Sequence, residues 1–351
     1  MNNVARGAAV QASSVTLDTA ATTDKACALI AEAGRNSADV VVFPECFLPA
    51  YPAWFEFLPA TSKELTDLNV RLYNSSIDVP GPETAKLGQA AKTANCFVVI
   101  GVCERARTQS GSMFNTQLFF GPDGRLLGKH QKLTPTSYER IVHWGRGGDT
   151  LCVVDTPFGP LSSLLCSENS NPLAGFDLIA RGPRVHAMSW PPHFILAGGG
   201  VPGLPDISMV TARHFTLMSK AFVISACGVI DRDFYREMAA MTDHPEADLT
   251  LGIEYGGSSI VSPGSEVLAG PLACGVEDIL YADLDMDTWV RMKLVQDFAG
   301  HYNRPDVFTL DVKPHPKRVR AVDHRRVVRC RATLAACSSR SRVSTAQASA
   351  R

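Results

Sequence analysis

One run of apolar, mostly β-branched residues constrains the fold of this chain more than any other feature. Residues 38–43 read Ala-Asp-Val-Val-Val-Phe, and Pro44-Glu45 follows at once. A short run of this kind is typical of a strand that is buried on both faces, as in sheets that are covered by helices. The run therefore indicates an α/β protein with a carboxylate at the end of a buried strand.

Segments with strand and helix character alternate along most of the chain. Asp18 is a candidate N-cap for a helix over 18–36, and two strands before the turn at 121–124 form a predicted hairpin. Because hairpins and helices are mixed, we expect a mixed sheet covered by helices, with no internal repeat. The other predicted helices cover 62–76 and 82–94, and the predicted strands cover 4–10, 97–103, 115–120, 151–155, 161–165, 185–190, 222–226, 257–262, 266–269 and 279–284.

The composition is that of a globular protein. The chain has 351 residues, of which 45% are hydrophobic and 20% charged, and this length allows a sizeable core. We expect no membrane span and no secretion signal, because neither pattern occurs. The ten cysteines include no C-x-x-C pair, which argues against a zinc site. Most of them are expected to be small buried hydrophobes in a reducing cytoplasm.

The charge is distributed unevenly. Residues 313–351 carry eleven Lys/Arg and one acid, a net charge of +10, which leaves −11 on residues 1–312 because the whole chain carries −1. Arg, Ser and Ala dominate the tail, so we expect it to be mostly disordered. Two other interpretations remain: the tail docks on the acidic body of neighbouring subunits, or it binds nucleic acid, which its lack of aromatic residues disfavours.

Three polar residues stand where apolar strands end, which is where α/β sheets place ligands and catalytic groups. They are Glu45, Lys132 and Cys166. Each also has a plain structural interpretation, as a surface ion pair, a solvated lysine and a core thiol. Together they form a coherent set, because a cysteine needs a base or a positive neighbour for activation. Glu45 can take the thiol proton, and Lys132 can stabilise the negative charge that develops on attack.

The contexts of these residues resemble the nitrilase, or carbon–nitrogen hydrolase, superfamily. Val42-Phe43-Pro44-Glu45 is similar to its glutamate motif, His130–Thr136 followed by Glu139-Arg140 to its lysine motif, and Leu165–Asn169 to its cysteine elbow. Three downstream segments resemble the nitrilase branch in particular. They are 257–263, 282–285 and 300–308.

The resemblance implies a fold and an assembly. It covers about residues 4–312 and implies an αββα sandwich of the nitrilase type with mixed sheets. We therefore assign residues 1–312 to one carbon–nitrogen hydrolase domain and 313–351 to the tail. The resemblance also implies dimerisation into an αββααββα assembly and growth of such dimers into spirals.

The resemblance further implies roles for individual residues. Cys166 is the nucleophile and Glu45 the general base, while Lys132 and the backbone N–H of Ser167 stabilise negative charge. Glu139 orients Lys132 and the substrate, although alone it would read as a helix-surface acid. The reaction needs no metal or organic cofactor.

The substrate contacts are less constrained. Nitrilases usually carry Trp after the nucleophile, and Ser167 in its place leaves room beside the pocket or admits water. Trp190, Tyr51 and Trp54 are candidate pocket walls, and Trp190 is as readily explained as a core residue. Their aromatic rings favour an aryl or arylalkyl nitrile, and an aliphatic one remains open. We expect Glu168 and Asn169 to fix the turn after Cys166.

The leading functional prediction is a nitrilase that converts a nitrile to a carboxylic acid and ammonia through a Cys166 thioimidate and thioester. The alternatives are an aliphatic amidase, or a nitrile- or cyanide-hydrating relative that releases an amide. A non-catalytic assembly protein is a further alternative, although a scaffold has no need for all three of Glu45, Lys132 and Cys166. The expected partners are a small-molecule nitrile and other copies of the chain, without nucleic acid or membrane.

Overall fold

The computed structural model describes residues 3–106, 111–192, 203–242 and 256–313. The chain forms twelve strands within these ranges. They are β1 (Val4–Gln11), β2 (Val40–Val42), β3 (Phe97–Arg105), β4 (Met113–Phe120), β5 (Leu126–Gln131), β6 (Val153–Val154), β7 (Leu161–Leu165), β8 (Val185–Trp190), β9 (Phe222–Cys227), β10 (Ser259–Val261), β11 (Val267–Ala269) and β12 (Asp278–Asp285).

The strands build two mixed sheets of six strands each. The first has the order β12-β1-β2-β3-β4-β5 and the second the order β11-β10-β9-β8-β7-β6. In the first sheet β1, β2 and β3 are parallel, and in the second β7, β8 and β9 are parallel. The predicted hairpin is confirmed, since β3 and β4 pair in antiparallel register.

The sheets pack face to face through a shared apolar layer. Val40, Val42 and Val99 from the first sheet lie in one core cluster with Ala187 and Ile224 from the second. Because successive side chains of a strand point to opposite faces, the residues between them pack on helices instead. The β2 run is thus buried on both faces, as its sequence predicts.

The described ranges contain seven α-helices. They are α1 (Thr19–Arg35), α2 (Lys63–Ser75), α3 (Pro82–Ala94), α4 (Pro172–Ala180), α5 (Leu204–Ser219), α6 (Arg232–Thr242) and α7 (Met286–Val295). Ile30 of α1 and Leu87 of α3 pack on Val41 of the first sheet, whereas Phe215 of α5 packs with Val223 of the second. The layers therefore follow the order αββα, and the expected fold class is confirmed. Asp18 caps α1 by accepting a hydrogen bond from the N–H of Ala21 (2.9 Å).

Two sequence expectations concern membranes and the tail. None of the helices within the described ranges is long and apolar enough to span a membrane. The expectation of disorder falls on residues 313–351, and all of these except Lys313 lie outside the described residues.

Candidate active site

The ends of strands from both sheets are joined at one place. The N–H of Glu45, three residues after β2, donates a hydrogen bond to the carbonyl of Trp190 at the end of β8 (3.1 Å). Ser189 reinforces this link, because its hydroxyl donates to the carbonyl of Phe43 (2.7 Å). The sheet packing therefore brings Glu45 from the first sheet to the end of the second sheet, where Cys166 follows β7.

Lys132, directly after β5, connects two carboxylates. Its ammonium Nζ lies 2.6 Å from Oε1 of Glu45 and 2.7 Å from Oε2 of Glu139. All three residues are at most 2% exposed. Charges buried to this degree are costly unless they are paired and hydrogen-bonded, so the three side chains stabilise one another as a unit.

Glu139 is fixed by its local backbone. It lies in a 3₁₀ turn over Ser137–Ile141, and its Oε2 accepts the N–H of Thr136 (2.5 Å). The carboxylate is therefore held toward Lys132 and cannot swing to the surface. The interpretation of Glu139 as a surface acid is wrong, because the residue is buried.

Asn115 of β4 is a site residue that the sequence analysis missed. Its Nδ2 donates to Oε1 of Glu45 (2.6 Å) and to Oε1 of Glu139 (2.8 Å). Its carbonyl also accepts the N–H of Lys132 (2.9 Å). The sequence shows only an asparagine within a predicted strand. The structure shows that every residue of that strand, Met113–Phe120, is buried.

The two carboxylates differ in their electrostatics. Burial raises the pKa of Glu45 to about 7, against the opposing effect of Lys132. Burial also acts against ionisation of Glu139, but Lys132 and His143 hold the pKa of Glu139 below its ordinary value. Glu139 is thus the permanent counter-charge of Lys132, while Glu45 can exchange a proton near neutral pH.

Lys132 stays protonated and positively charged. Burial disfavours the ammonium, but the carboxylates of Glu139 and Glu45 raise the pKa of Lys132 well above its ordinary value. A buried ammonium that stays charged stabilises negative charge more strongly than one in water, because the local dielectric constant is low.

Cys166 occupies an unusual backbone position. It is fully buried, begins a 3₁₀ turn over Cys166–Ser170 and has a φ of +53°. A residue other than glycine in this left-handed region is uncommon and marks strain that the surroundings must hold. Burial and the charge of Glu45 raise the pKa of the Cys166 thiol, so the thiol needs a base to become a nucleophile.

Two side chains after Cys166 hold this turn, as predicted. Glu168 accepts the N–H of Leu133 (2.6 Å) and that of Leu165 (3.2 Å), which joins the end of β5 to the end of β7. Asn169 donates to the carbonyl of Cys166 (2.9 Å). Lys132 and Cys166 are thus placed relative to each other through Glu168.

His130 and His186 also support this turn, and no local pattern singles them out for that role. The Nε2 of His130 lies 3.0 Å from Oε2 of Glu168. The Nε2 of His186 lies 2.8 Å from Oδ1 of Asn169, and its ring stacks on Phe215 at 3.9 Å. Both histidines are fully buried, so they orient the turn and do not contact solvent.

The four predicted substrate contacts lie in different environments. Ser167 is exposed, at the edge of a cleft that Thr136 and Arg140 also line. Tyr51 is half-buried, and burial together with the charges of Glu139 and Glu45 raises its pKa well above the ordinary value. Trp54 and Trp190 are fully buried in core clusters. The roles of all four residues as substrate contacts stay predictions.

Gly101 of β3 packs closely against the backbone of Pro44 and Glu45. A Cβ at this position would lie 2.5 Å from the carbonyl oxygen of Pro44 and 2.8 Å from Cα of Glu45. Since both are backbone atoms, they cannot move aside without displacing Glu45.

We therefore expect Gly101→Ala to lower kcat about 100-fold, the usual cost of misplacing a catalytic group by about 1 Å. The matched control is Gly175→Ala in α4, where a Cβ meets only Phe215 at 3.7 Å. Steady-state kinetics of both variants, with thermal unfolding alongside, make the comparison. Equal activity of the two variants would contradict the proposed support of Glu45.

Comparisons with known proteins identify the family of the chain. The family model described as carbon–nitrogen hydrolase matches residues 6–294. The chain is 40% identical to an aliphatic nitrilase of Sinorhizobium fredii (strain HH103) over 324 residues, 89% of this chain and 96% of that protein. It is 37% identical to the bifunctional nitrilase/nitrile hydratase NIT4A of Lupinus angustifolius over 319 residues, 89% of this chain and 86% of that protein.

A solved structure matches the fold. The carbon–nitrogen hydrolase from Helicobacter pylori G27 superposes with a TM-score of 0.66 and 17% identity, covering 87% of this chain and 97% of that chain. At this identity the match concerns the fold alone.

Proposed function

We propose that this chain, which belongs to the carbon–nitrogen hydrolase family, is a nitrilase that hydrolyses an organic nitrile to a carboxylic acid and ammonia. The observation that carries the proposal is the buried unit of Glu45, Lys132 and Glu139 at the strand end next to Cys166. The names of both relatives, aliphatic nitrilase and nitrilase/nitrile hydratase, support the choice of substrate class.

The first half of the reaction forms a covalent intermediate. Glu45 takes the proton of the Cys166 thiol, and the sulfur attacks the nitrile carbon. The nitrogen accepts that proton, so that the C≡N bond becomes the C=NH of a thioimidate. Oε2 of Glu45 is suited to this transfer, because it is buried and has no hydrogen-bond partner among the described residues. Lys132 and the N–H of Ser167 stabilise the negative charge on nitrogen.

The second half consumes two water molecules. The first adds to the thioimidate carbon, and ammonia leaves with protons that pass through Glu45, which gives a thioester. The second water, activated by Glu45, breaks the C–S bond, releases the carboxylic acid and returns the thiol to Cys166. Glu139 remains ionised throughout and keeps Lys132 charged and in place.

The pKa of Glu45 predicts the pH dependence. The free enzyme needs an ionised Glu45, and its pKa is raised to about 7. We therefore expect kcat/KM to fall about tenfold per pH unit below that value as Glu45 becomes protonated. A stopped assay of ammonia between about pH 5 and pH 9 tests this. A constant kcat/KM down to about pH 5, as for an ordinary glutamate, would contradict the role of Glu45 as the base.

The activity itself is tested with a panel of aryl, arylalkyl and aliphatic nitriles and their amides. Acid, ammonia and amide are quantified in each incubation. Acid and ammonia from nitriles support the proposal and rank the substrates. Turnover of amides alone overturns it in favour of an amidase, and no turnover of either class favours a non-catalytic assembly protein.

A second candidate is hydration of the nitrile to an amide. Ser167 stands where nitrilases usually carry Trp, and it is exposed. The small side chain admits water beside the intermediate, and the sequence does not decide the ratio of acid to amide. The name of the Lupinus relative includes nitrile hydratase, which supports this second candidate.

We expect Ser167→Trp to change the amide-to-acid ratio, because the intermediate formed by the first water releases either ammonia, which leads to the acid, or the Cys166 thiol, which gives the amide, and a large ring beside Cys166 alters how that intermediate is held. Chromatography of the products of wild type and variant on the same nitrile measures this ratio. An Ser167→Ala variant serves as the control and should keep the wild-type ratio. An unchanged ratio in Ser167→Trp would show that this position does not set the partition.

The proposal includes self-association into dimers and larger spirals, in the cytoplasm. Apolar side chains that are more than half exposed near the end of the described chain support an interface. They are Leu294, Val295, Tyr302, Val307 and Phe308. The eight cysteines of the described ranges are unpaired, which suits a reducing compartment. Light scattering of the full chain and of a chain that ends at Val312, at low and high salt, tests the role of the basic tail.

A further inference from the structure

Three side chains of types that can bind a metal ion meet beside the active site, and none of them contacts the reacting atoms in the proposed reaction. Cys46 follows Glu45, Cys103 lies on β3, and His143 lies after the 3₁₀ turn that contains Glu139. Their ligand atoms all lie within 4.8 Å of one another. The three residues are at most 3% exposed. This cluster is called the Cys46–Cys103–His143 cluster below.

The histidine of this cluster has no hydrogen bond of ordinary geometry. Neither ring nitrogen of the buried His143 meets the geometry of a hydrogen bond among the described residues, although the ring interacts with the thiol of Cys103 and the carboxylate of Glu139. Its Nδ1 lies 3.8 Å from Oε1 of Glu139, which is too long for a hydrogen bond. Because leaving a buried polar group unsatisfied is costly, a partner that accepts the imidazole lone pair would account for its position.

The first cysteine of the cluster is held in a rare conformation. Cys46 has a φ of +47°, in the region that side chains other than Gly, Asn and Asp seldom adopt. Simple packing of a small hydrophobe does not require this backbone. A backbone oxygen also lies near the cluster, because the Sγ of Cys103 is 3.3 Å from the carbonyl oxygen of Ala50.

We propose that the Cys46–Cys103–His143 cluster binds one zinc ion. Two thiolates and one imidazole form a ligand set that zinc prefers, and the carbonyl oxygen of Ala50, 3.3 Å from Sγ of Cys103, is a further donor beside them. In a tetrahedral site with Zn–S bonds of about 2.3 Å, ligand sulfurs lie about 3.8 Å apart. The observed limit of 4.8 Å therefore requires the ligands to close by at most about 1 Å.

Charge selects a divalent ion over a monovalent one. Two thiolates and Zn²⁺ make a neutral complex, which suits a buried site. Cu⁺ with the same ligands would leave a net negative charge next to the carboxylate of Glu139, and burial of such a charge is unfavourable. The zinc ion would join the chain beside Glu45 to β3 and to the turn of Glu139, and it takes no part in the reaction at Cys166.

The test measures metal in the full-length, untagged protein. Reduced protein is stripped with a chelator, loaded with Zn²⁺, desalted and analysed for zinc by mass spectrometry. Co²⁺ replaces Zn²⁺ as a spectroscopic probe, because thiolate ligation gives a charge-transfer band in the near ultraviolet. We expect one metal per chain, with at least a tenfold loss of affinity in Cys46→Ser, Cys103→Ser and His143→Asn. Zinc should also raise the unfolding temperature of the wild type and not that of the variants.

Two controls identify the ligands. Cys96→Ser removes another fully buried thiol, and Cys166→Ala removes the proposed nucleophile; both variants should retain one metal with the cobalt–thiolate band. Wild-type protein that takes up no metal, or uptake that is lost in Cys166→Ala and kept in the cluster variants, would overturn the proposal. The wild-type titration decides even if a cluster variant does not fold. It is independent of nitrile turnover, so this inference and the proposed function can fail separately.

Discussion

Cys166→Ala is expected to abolish nitrile hydrolysis and to lower kcat/KM by at least about 10⁴-fold. The reason is that the variant keeps the charged unit of Glu45, Lys132 and Glu139 but has no atom that can bond to the nitrile carbon. Ammonia release measures the loss. Intact-mass analysis of acid-quenched wild type, taken during turnover, should show one acyl adduct per chain, and the variant should show none.

The control for this prediction is another buried thiol. Cys96 is as fully buried as Cys166 and packs between the first sheet and its helices. Cys96→Ala should therefore have a cost in stability similar to any small core truncation, with kcat/KM near that of the wild type. Residual turnover of Cys166→Ala at more than a few per cent would exclude covalent catalysis by this residue.

Lys132→Met is expected to have the largest effect on stability as well as to remove activity. The substitution keeps most of the length of the side chain but removes the ammonium that both Glu45 and Glu139 contact, so these two buried carboxylates lose their shared counter-charge. Removal of one partner of a buried ion pair typically costs about 3–5 kcal/mol in free energy of unfolding. Urea unfolding followed by circular dichroism measures this loss, and ammonia release measures the activity.

Lys129→Met, in β5 three residues before Lys132, is the matched control. Lys129 pairs with Glu104, but its side chain is 34% exposed. Glu104 also keeps hydrogen bonds from Thr116 (2.9 Å) and Gln131 (2.7 Å) when Lys129 is absent. We therefore expect a loss of about 1 kcal/mol or less. Similar losses in Lys129→Met and Lys132→Met would show that Lys132 is not the counter-charge of a buried site.

Local patterns allowed much of the fold to be predicted. The apolar run before Glu45 forms a strand that is buried on both faces, and Asp18 and Ser62 cap the helices that the sequence places after them. Local patterns predict no helix at α4, α5, α6 or α7 and no strand at β5, all of which the structure contains. In α4, Asn171 caps the first turn and Pro172 occupies the first position. Its nine residues are too few for a clear helical period.

The motifs placed the principal site residues but not the groups that orient them. Glu45, Lys132 and Cys166 could be selected because each follows an apolar strand. Asn115 could not, since an amide within a strand has no local signal of what it will contact. Its hydrogen bonds to Glu45 and Glu139 exist only because β4 pairs beside β3 in one particular register.

The sequence by itself determined most of the strands, the N-cap of α1, the α/β class and the three residues at strand ends, because each of these depends on neighbours a few positions away. Only the tertiary structure decided which distant groups share one buried space. Cys46, Cys103 and His143 follow no metal-binding spacing, and spacing alone had argued against a zinc site. They meet because the chain after Glu45 lies along the end of β3, with the carbonyl of Leu48 accepting the N–H of Cys103. Contacts of this kind are set by sheet pairing and packing, which no local period encodes.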